Sequence, residues 1–218
     1  MLVVWDIDLT LLDNAGFGHA EAERLLAARG IARPEGLVFA GRTDADIWGT
    51  ILGARPGDPA LREFLNELSD ACADAPWGGH VLPGVRDVVA ALARAGHSQT
   101  VATGNMASTG WLKLRHAGLD EYMAPRFASF GDAVTDRREL LGATVSRWGG
   151  RGPVVAVGDT PADAAAALAH DVGFVGVATG RHGRAELTDA IRGAEGAAVI
   201  DDLRGAPDVV KLLENLAS

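Results

Sequence analysis

The sequence predicts an α/β protein: a parallel sheet with helices on both faces, and a small all-helical insert after the first strand. Three observations predict it. Short apolar runs rich in β-branched residues recur at 2–5, 99–102, 154–157, 174–177 and 197–200, with a weaker one at 126–130. Segments with helical patterning separate most of them, at 85–95, 108–117, 138–148 and 162–170. Strands alternating with helices form parallel sheets covered on both sides. Between residues 14 and 80 the alternation stops, and no convincing strand is found there.

Leu2-Val3-Val4-Trp5 reads as a buried strand that runs straight into Asp6-Ile7-Asp8-Leu9-Thr10. The strandless stretch reads as three helices, at 20–29, 44–52 and 60–73. Pro34, Gly36, Pro56, Gly57 and Pro59 punctuate them. Trp77-Gly78-Gly79 and Leu82-Pro83-Gly84 mark the return to the sheet. The expected boundaries are a core of residues 1–14 and 81–218, and an inserted helical cap of residues 15–80. Gly96, Gly118 and Gly173 stand where a helix C-terminus favours glycine.

The chain has 218 residues, 48 % of them hydrophobic and 22 % charged, enough for one substantial core with an insert. Its formal net charge of −9 argues against nucleic acid and anionic membranes as partners, because both need a basic face. One cysteine, Cys72, allows no disulfide within the chain and fits a reducing compartment. With no basic apolar leader and no apolar run of membrane-spanning length, a cytoplasmic location is expected. Nothing in the sequence fixes an oligomeric state.

Ligands of open parallel sheets bind at the carboxyl ends of the strands. Three such ends carry unusual residues: Asp6 to Thr10, Thr103-Gly104-Asn105, and Asp159-Thr160-Pro161-Ala162-Asp163. Carboxylates left unpaired near a core are strongly disfavoured. If the three strands are neighbours, Asp6, Asp8, Asp159 and Asp163 converge, and such a cluster calls for a hard cation, Mg²⁺ above all. Asp159 and Asp163 can also be read as a helix cap and a first-turn acid.

Asp-x-Asp-x-Thr, Thr-x-Asn and Gly-Asp-x-x-x-Asp, each following an apolar strand, resemble the motifs of the haloacid dehalogenase-like hydrolases. Leu82-Pro83-Gly84-Val85, Lys113-Leu114 and Ala117-Gly118-Leu119 extend the resemblance along the chain. It implies a Rossmann-like core with a mobile helical cap, and the phosphoglycolate phosphatase and β-phosphoglucomutase branch in particular. It also implies an Mg²⁺-dependent phosphatase acting on a small phosphorylated metabolite through an aspartyl-phosphate. Carried over, Asp6 is the nucleophile. Asp8 is the general acid and base, and its backbone carbonyl a metal ligand. Thr10 braces the loop.

Thr103 is expected to donate to a phosphate oxygen, aided by the amides of Gly104 and Asn105. The family places a Lys or Arg ahead of the helix before the last acidic strand. Arg137, 22 residues before Asp159, matches that position, although Lys is the commoner residue. Lys113 is the second candidate for this role, and Arg138 reads as a solvated helix start. Asp159 is expected to bind the metal, with Asp163 binding it or a water on it. Gly41-Arg42-Thr43-Asp44 resembles a short cap motif of this branch. Arg42 is therefore a candidate for reading a distal anionic or hydroxyl group, with Thr43 or Asp44 as a plain helix cap the competing reading. His19 and Glu23 lie four apart on the first cap helix and read as surface residues that could face the cleft.

Phosphonatases of this superfamily use a cap lysine, and no lysine precedes Lys113. Dehalogenases lack the second Asp, which is present here as Asp8. A phosphomutase shares the whole core and stands as the alternative. A non-catalytic binding protein on the same fold is the reading from a different class.

Overall fold

The computed structural model describes residues 1–217. Six parallel strands form one sheet: β1 (Leu2–Trp5), β4 (Ser98–Thr103), β5 (Ser129–Phe130), β6 (Val154–Gly158), β7 (Gly173–Val177) and β8 (Ala197–Ile200). Their order is β5-β4-β1-β6-β7-β8, so β1 lies between β4 and β6. Two short strands, β2 (Leu12–Asp13) and β3 (His80–Val81), pair antiparallel and form the two-chain neck of the insert. The weak run at 126–130 divides into a 3₁₀ turn at Pro125–Phe127 and the two residues of β5.

The period-2 pattern of β1 explains why it occupies the centre. Val3 and Trp5 face one core, with Val88, Leu92, Leu114 and Leu213. Leu2 and Val4 face the other, with Leu141, Trp148, Ala164 and Ala167. Helices α4 (Val85–Arg94), α5 (Ala107–Ala117) and α9 (Ala206–Leu216) contribute to the first layer. Helices α6 (Arg137–Trp148) and α7 (Pro161–Ala169) contribute to the second. A strand that feeds both layers has no polar face, so its sequence reads as a continuous apolar run.

Helices α1 (His19–Ala28), α2 (Asp44–Leu52) and α3 (Pro59–Ala73) pack around a third core of their own. On α3 the buried positions are Leu61, Phe64, Leu65, Leu68 and Cys72, a stripe of helical period. The insert is tied to the sheet through the start of α2. The amides of Asp44 and Ala45 donate to the carbonyls of Gly104 (2.7 Å) and Gly131 (2.9 Å). Thr43 Oγ1 donates to the carbonyl of Val134 at 2.6 Å and accepts from the amide of Asp46.

Gly173 does not end a helix, contrary to expectation. It opens β7, paired with Val155, and a Cβ there would come 2.6 Å from the carbonyl of Leu216. The left-handed residue after α7 is Asp171, at φ 51°. Gly118 caps α5 in the left-handed conformation as expected. Helices α8 (Arg184–Ala190) and α9 close the C-terminal part of the chain; neither is among the helices expected from the sequence, although α9 carries an apolar face with Val209 and Leu213 buried.

Candidate active site

Parallel neighbours in register bring their carboxyl ends together. Trp5 pairs with Val101 on one side and Val157 on the other, and the amide of Asp6 donates to the carbonyl of Val157 at 2.9 Å. Asp6, the Thr103-Gly104-Asn105 turn and Asp159 therefore meet at one edge, on both sides of the central strand.

The loop after β1 is shaped by an unusual backbone. Leu9 holds φ 59°, a conformation that non-glycine residues seldom adopt and that clusters at functional sites. Its carbonyl accepts from Thr179 Oγ1 at 2.6 Å, and its amide donates to the carbonyl of Leu12 at 2.7 Å. The two acids ahead of this turn face different partners. Asp6 is buried and accepts from Arg137 Nη2 at 2.7 Å. Asp8 is half-buried and faces Lys113, whose Nζ lies 2.7 Å from Oδ2 and 3.0 Å from Oδ1. Asn14 Nδ2 (2.7 Å) and Asn105 Nδ2 (2.9 Å) complete the shell of Asp8.

Carboxylate oxygens of Asp6, Asp159 and Asp163 lie within 4.8 Å of one another, all three residues buried. The side chain of Asp8 is not in this group. Of the four carboxylates expected to converge, three do; the fourth, Asp8, is paired with Lys113 instead. Arg137, first residue of α6, bridges the cluster with one arm on Asp6 and the other on Asp163. Thr10 Oγ1 donates to Asp159 at 3.3 Å. Asp163 also closes a capping box with Thr160 at the start of α7, so the capping role and membership of the cluster coexist.

Burial pushes Asp6 and Asp159 above the ordinary carboxylate range, and their like charges add to it. Arg137 draws both back down only in part. Three buried carboxylates facing one guanidinium leave an excess of negative charge, a donor set of hard oxygens suited to a divalent cation. The backbone near Asp159 leaves no room for a side chain: a Cβ on Gly180 would sit 1.8 Å from its Oδ2. Asp8 behaves differently. Burial raises it, but the charge and hydrogen bond of Lys113, with Asn105 and Asn14, outweigh that and hold it below the ordinary value.

Thr103 is fully buried, and its Oγ1 accepts from Asn105 Nδ2 at 2.8 Å. Gly104 and Asn105 line the cavity above the carboxylates, as do Lys113 and Arg137. Arg42 lines it too, but its guanidinium is bonded to Asp46 (2.5 Å) and Thr50 (2.7 Å) of α2, the helix that follows it. Thr43 is the N-cap of that helix. Arg138 is exposed and paired with Asp136. His19 is in the cavity wall; Glu23 pairs with Arg33 instead. The sequence reading missed Asn14 and Thr179. The turn signal Asn14-Ala15-Gly16 just after the acids was available for the first; nothing marked the second.

A model of the haloacid dehalogenase-like hydrolases matches residues 1–171, and one described as HAD-hydrolase-like matches residues 137–206. The chain belongs to the haloacid dehalogenase-like hydrolase family. No curated protein is matched. Among solved structures, the chain is similar to a hydrolase from Pseudomonas syringae, with 21 % identity, all of both chains covered and a TM-score of 0.68. It is similar to a predicted phosphatase from Clostridium acetobutylicum, at 19 % identity over 99 % of this chain and 97 % of the other, TM-score 0.69. A protein from Bacteroides vulgatus, designated by prediction a β-phosphoglucomutase, aligns at 16 % identity over 100 % and 90 % of the two chains, TM-score 0.71. At these identities the likeness is one of fold. Among the described residues no helix is long and apolar enough to cross a membrane.

Proposed function

We propose that this hydrolase is an Mg²⁺-dependent phosphatase of a small phosphate monoester, working through an aspartyl-phosphate on Asp6. The observation that carries the reading is the division of the two neighbouring acids: Arg137 claims Asp6, and Lys113 claims Asp8. An attacking carboxylate and a proton-transferring one need opposite surroundings, and residues two apart obtain them here. Solved relatives of the fold named as phosphatase and as β-phosphoglucomutase lend support.

In the first step an oxygen of Asp6 attacks phosphorus and the bond from phosphorus to the ester oxygen breaks. Protonated Asp8 gives its proton to the departing alkoxide. In the second step water attacks the phosphorus of the aspartyl-phosphate, Asp8 takes its proton, and free Asp6 and phosphate result. The ionised Asp8 that Lys113 favours is the form required for this second step. Phosphoryl transfer depends on positioning and charge neutralisation. Arg137 and the amides of Gly104 and Asn105 would supply these to the phosphoryl oxygens. Asp6, Asp159 and Asp163, with the backbone carbonyl of Asp8, would hold Mg²⁺, whose contribution is further charge neutralisation.

We also propose the division into a core of residues 1–14 and 81–218 and a cap of residues 15–80, with Thr103 donating its hydroxyl to a phosphate oxygen and Arg42 reading a distal anionic or hydroxyl group of the substrate. The test is phosphate release from a panel of phosphorylated metabolites with Mg²⁺. Turnover that EDTA abolishes and Mg²⁺ restores is expected; turnover unaffected by EDTA contradicts the metal assignment.

A further inference from the structure

Helix α5 has no cap of its own. Its N-cap residue is Met106, whose side chain accepts no hydrogen bond there, although the first amides of a helix need partners. Two carboxylates from elsewhere in the chain supply them. Asp132 Oδ1 accepts from the amide of Ala107 at 2.6 Å. Asp44 Oδ2 accepts from the amide of Met106 at 2.7 Å. Asp44 is the first residue of α2, in the helical insert, and the cap of α2 itself is Thr43.

Asp44 makes a second bond to the same turn. Its amide donates to the carbonyl of Gly104 at 2.7 Å. The Gly104 carbonyl belongs to the peptide group before Asn105, and the Met106 amide to the peptide group after it. One residue of the insert therefore holds both peptide planes that flank Asn105. Those planes set its φ and ψ, and with them the direction in which its side chain leaves the backbone. The side chain so aimed joins three groups of the site. Its Nδ2 donates to Asp8 Oδ2 at 2.9 Å and to Thr103 Oγ1 at 2.8 Å, and its Oδ1 accepts from Lys113 Nζ at 2.6 Å. Lys113 itself rides on α5, the helix whose N-terminus Asp44 holds.

We infer that Asp44 is a positioning residue for phosphoryl transfer: its carboxylate, by holding the Met106 amide, aims Asn105 at Asp8 and Lys113. The role needs no contact between Asp44 and the substrate. It makes turnover in the core depend on a side chain of the insert, so that the proton-transferring acid is fully ordered only while the start of α2 is docked. This inference rests on the phosphatase reading above.

The test uses acetyl phosphate with Mg²⁺. Acetate leaves readily, so turnover leans on the attack of water, the step in which Asp8 takes a proton. Asp44→Ala keeps the backbone bond to Gly104 and removes only the carboxylate. Its kcat is expected to fall by roughly tenfold, with KM changed less than about twofold because no substrate contact is lost. Asp44→Asn retains an oxygen that can accept from the Met106 amide, and should hold kcat within about threefold of the wild type. In an Asn105→Ala background, adding Asp44→Ala should cost less than about twofold more, because the group through which Asp44 acts is gone. Hydrogen exchange of the free proteins reads the same bond without turnover. The Met106 amide should exchange faster in Asp44→Ala and near the wild-type rate in Asp44→Asn, with β1 and β4 protected in both. A raised KM at unchanged kcat would make Asp44 a substrate contact and overturn the inference. So would losses that multiply in the double variant, or Met106 protection that Asp44→Ala leaves intact. Wild-type protein that releases phosphate from none of the metabolite panel, nor from acetyl phosphate, overturns the phosphatase reading and the catalytic role of Asp44 with it.

Discussion

Lys113 Nζ sits between both carboxylate oxygens of Asp8, at 2.7 and 3.0 Å, and 2.6 Å from Oδ1 of Asn105. Its side chain is 5 % exposed, against 31 % for that of Asp8. A buried ammonium reached from one helix, α5, thus fixes the acid at the end of β1 and points it away from Asp6. It also explains why the acidic cluster has three members rather than four.

Replacing Lys113 by Met should therefore impair turnover without removing the nucleophile. Asp8 loses the charge that holds it below the ordinary carboxylate range, so its ionisation moves to higher pH. We expect kcat to fall by roughly tenfold to a hundredfold, no more than the low end of what a positioned acid–base group contributes, because Asp8 itself remains. The acid limb of the kcat profile should shift upward. Lys113→Arg should restore part of both. An unchanged acid limb in Lys113→Met would separate Lys113 from the ionisation of Asp8.

The three-acid cluster makes a stability prediction whose sign can be worked out. Asp159 is raised to about 8 by burial first, and then by Asp6 and Asp163. A carboxyl with a raised native value favours the fold while protonated. Its contribution is complete below about pH 4 and is lost as pH rises through about 8. In EDTA, Asp159→Asn should therefore unfold at a higher temperature than the wild type at pH 8, and the difference should shrink toward pH 4. Thermal unfolding with and without Mg²⁺ measures this. Mg²⁺ should stabilise the wild type more at pH 8 than at pH 5, because protonated carboxylates are poor ligands. A lower midpoint for Asp159→Asn in EDTA at pH 8 would contradict the excess of negative charge.

At Gly104 the start of α2 lies directly against the core. A Cβ there would come 2.2 Å from the carbonyl of Arg42. The Gly104 carbonyl meanwhile accepts from the amide of Asp44. Gly104→Ala should leave the two apolar cores of the sheet intact while displacing the start of α2. Faster amide exchange at Asp44 and Ala45 is expected, with a drop in kcat/KM. Protection at both amides equal to that of the wild type would show that the approach can relax without moving the cap.

Much of this was legible because it follows from pattern. The double-sided burial of Leu2, Val3, Val4 and Trp5 is written in an unbroken apolar run, and the stripe on α3 in its helical period. The acids at strand ends were equally visible. What a linear pattern cannot carry is direction. Leu9 looks like an ordinary apolar residue, yet it holds a left-handed backbone just after the two acids. Arg42 could be read as a substrate-facing residue, and only the fold shows its guanidinium bonded to Asp46 and Thr50. Gly173 sat at helix-ending distance, but the close carbonyl of Leu216 explains it better. Trp48 belonged to a plain apolar stretch, and only packing reveals its unpartnered nitrogen.

The central claim is that phosphorus passes through Asp6, and one measurement addresses it most directly. Asp8→Asn protein with Mg²⁺ and acetyl phosphate is quenched in acid, treated with borohydride and analysed by peptide mass spectrometry. Borohydride converts an acyl phosphate to an alcohol, marking the residue that carried it. The account predicts the reduced residue at position 6, and no label in the Asp6→Asn, Asp8→Asn double variant. A label at any other residue, or full phosphate release by Asp6→Asn protein, would contradict it.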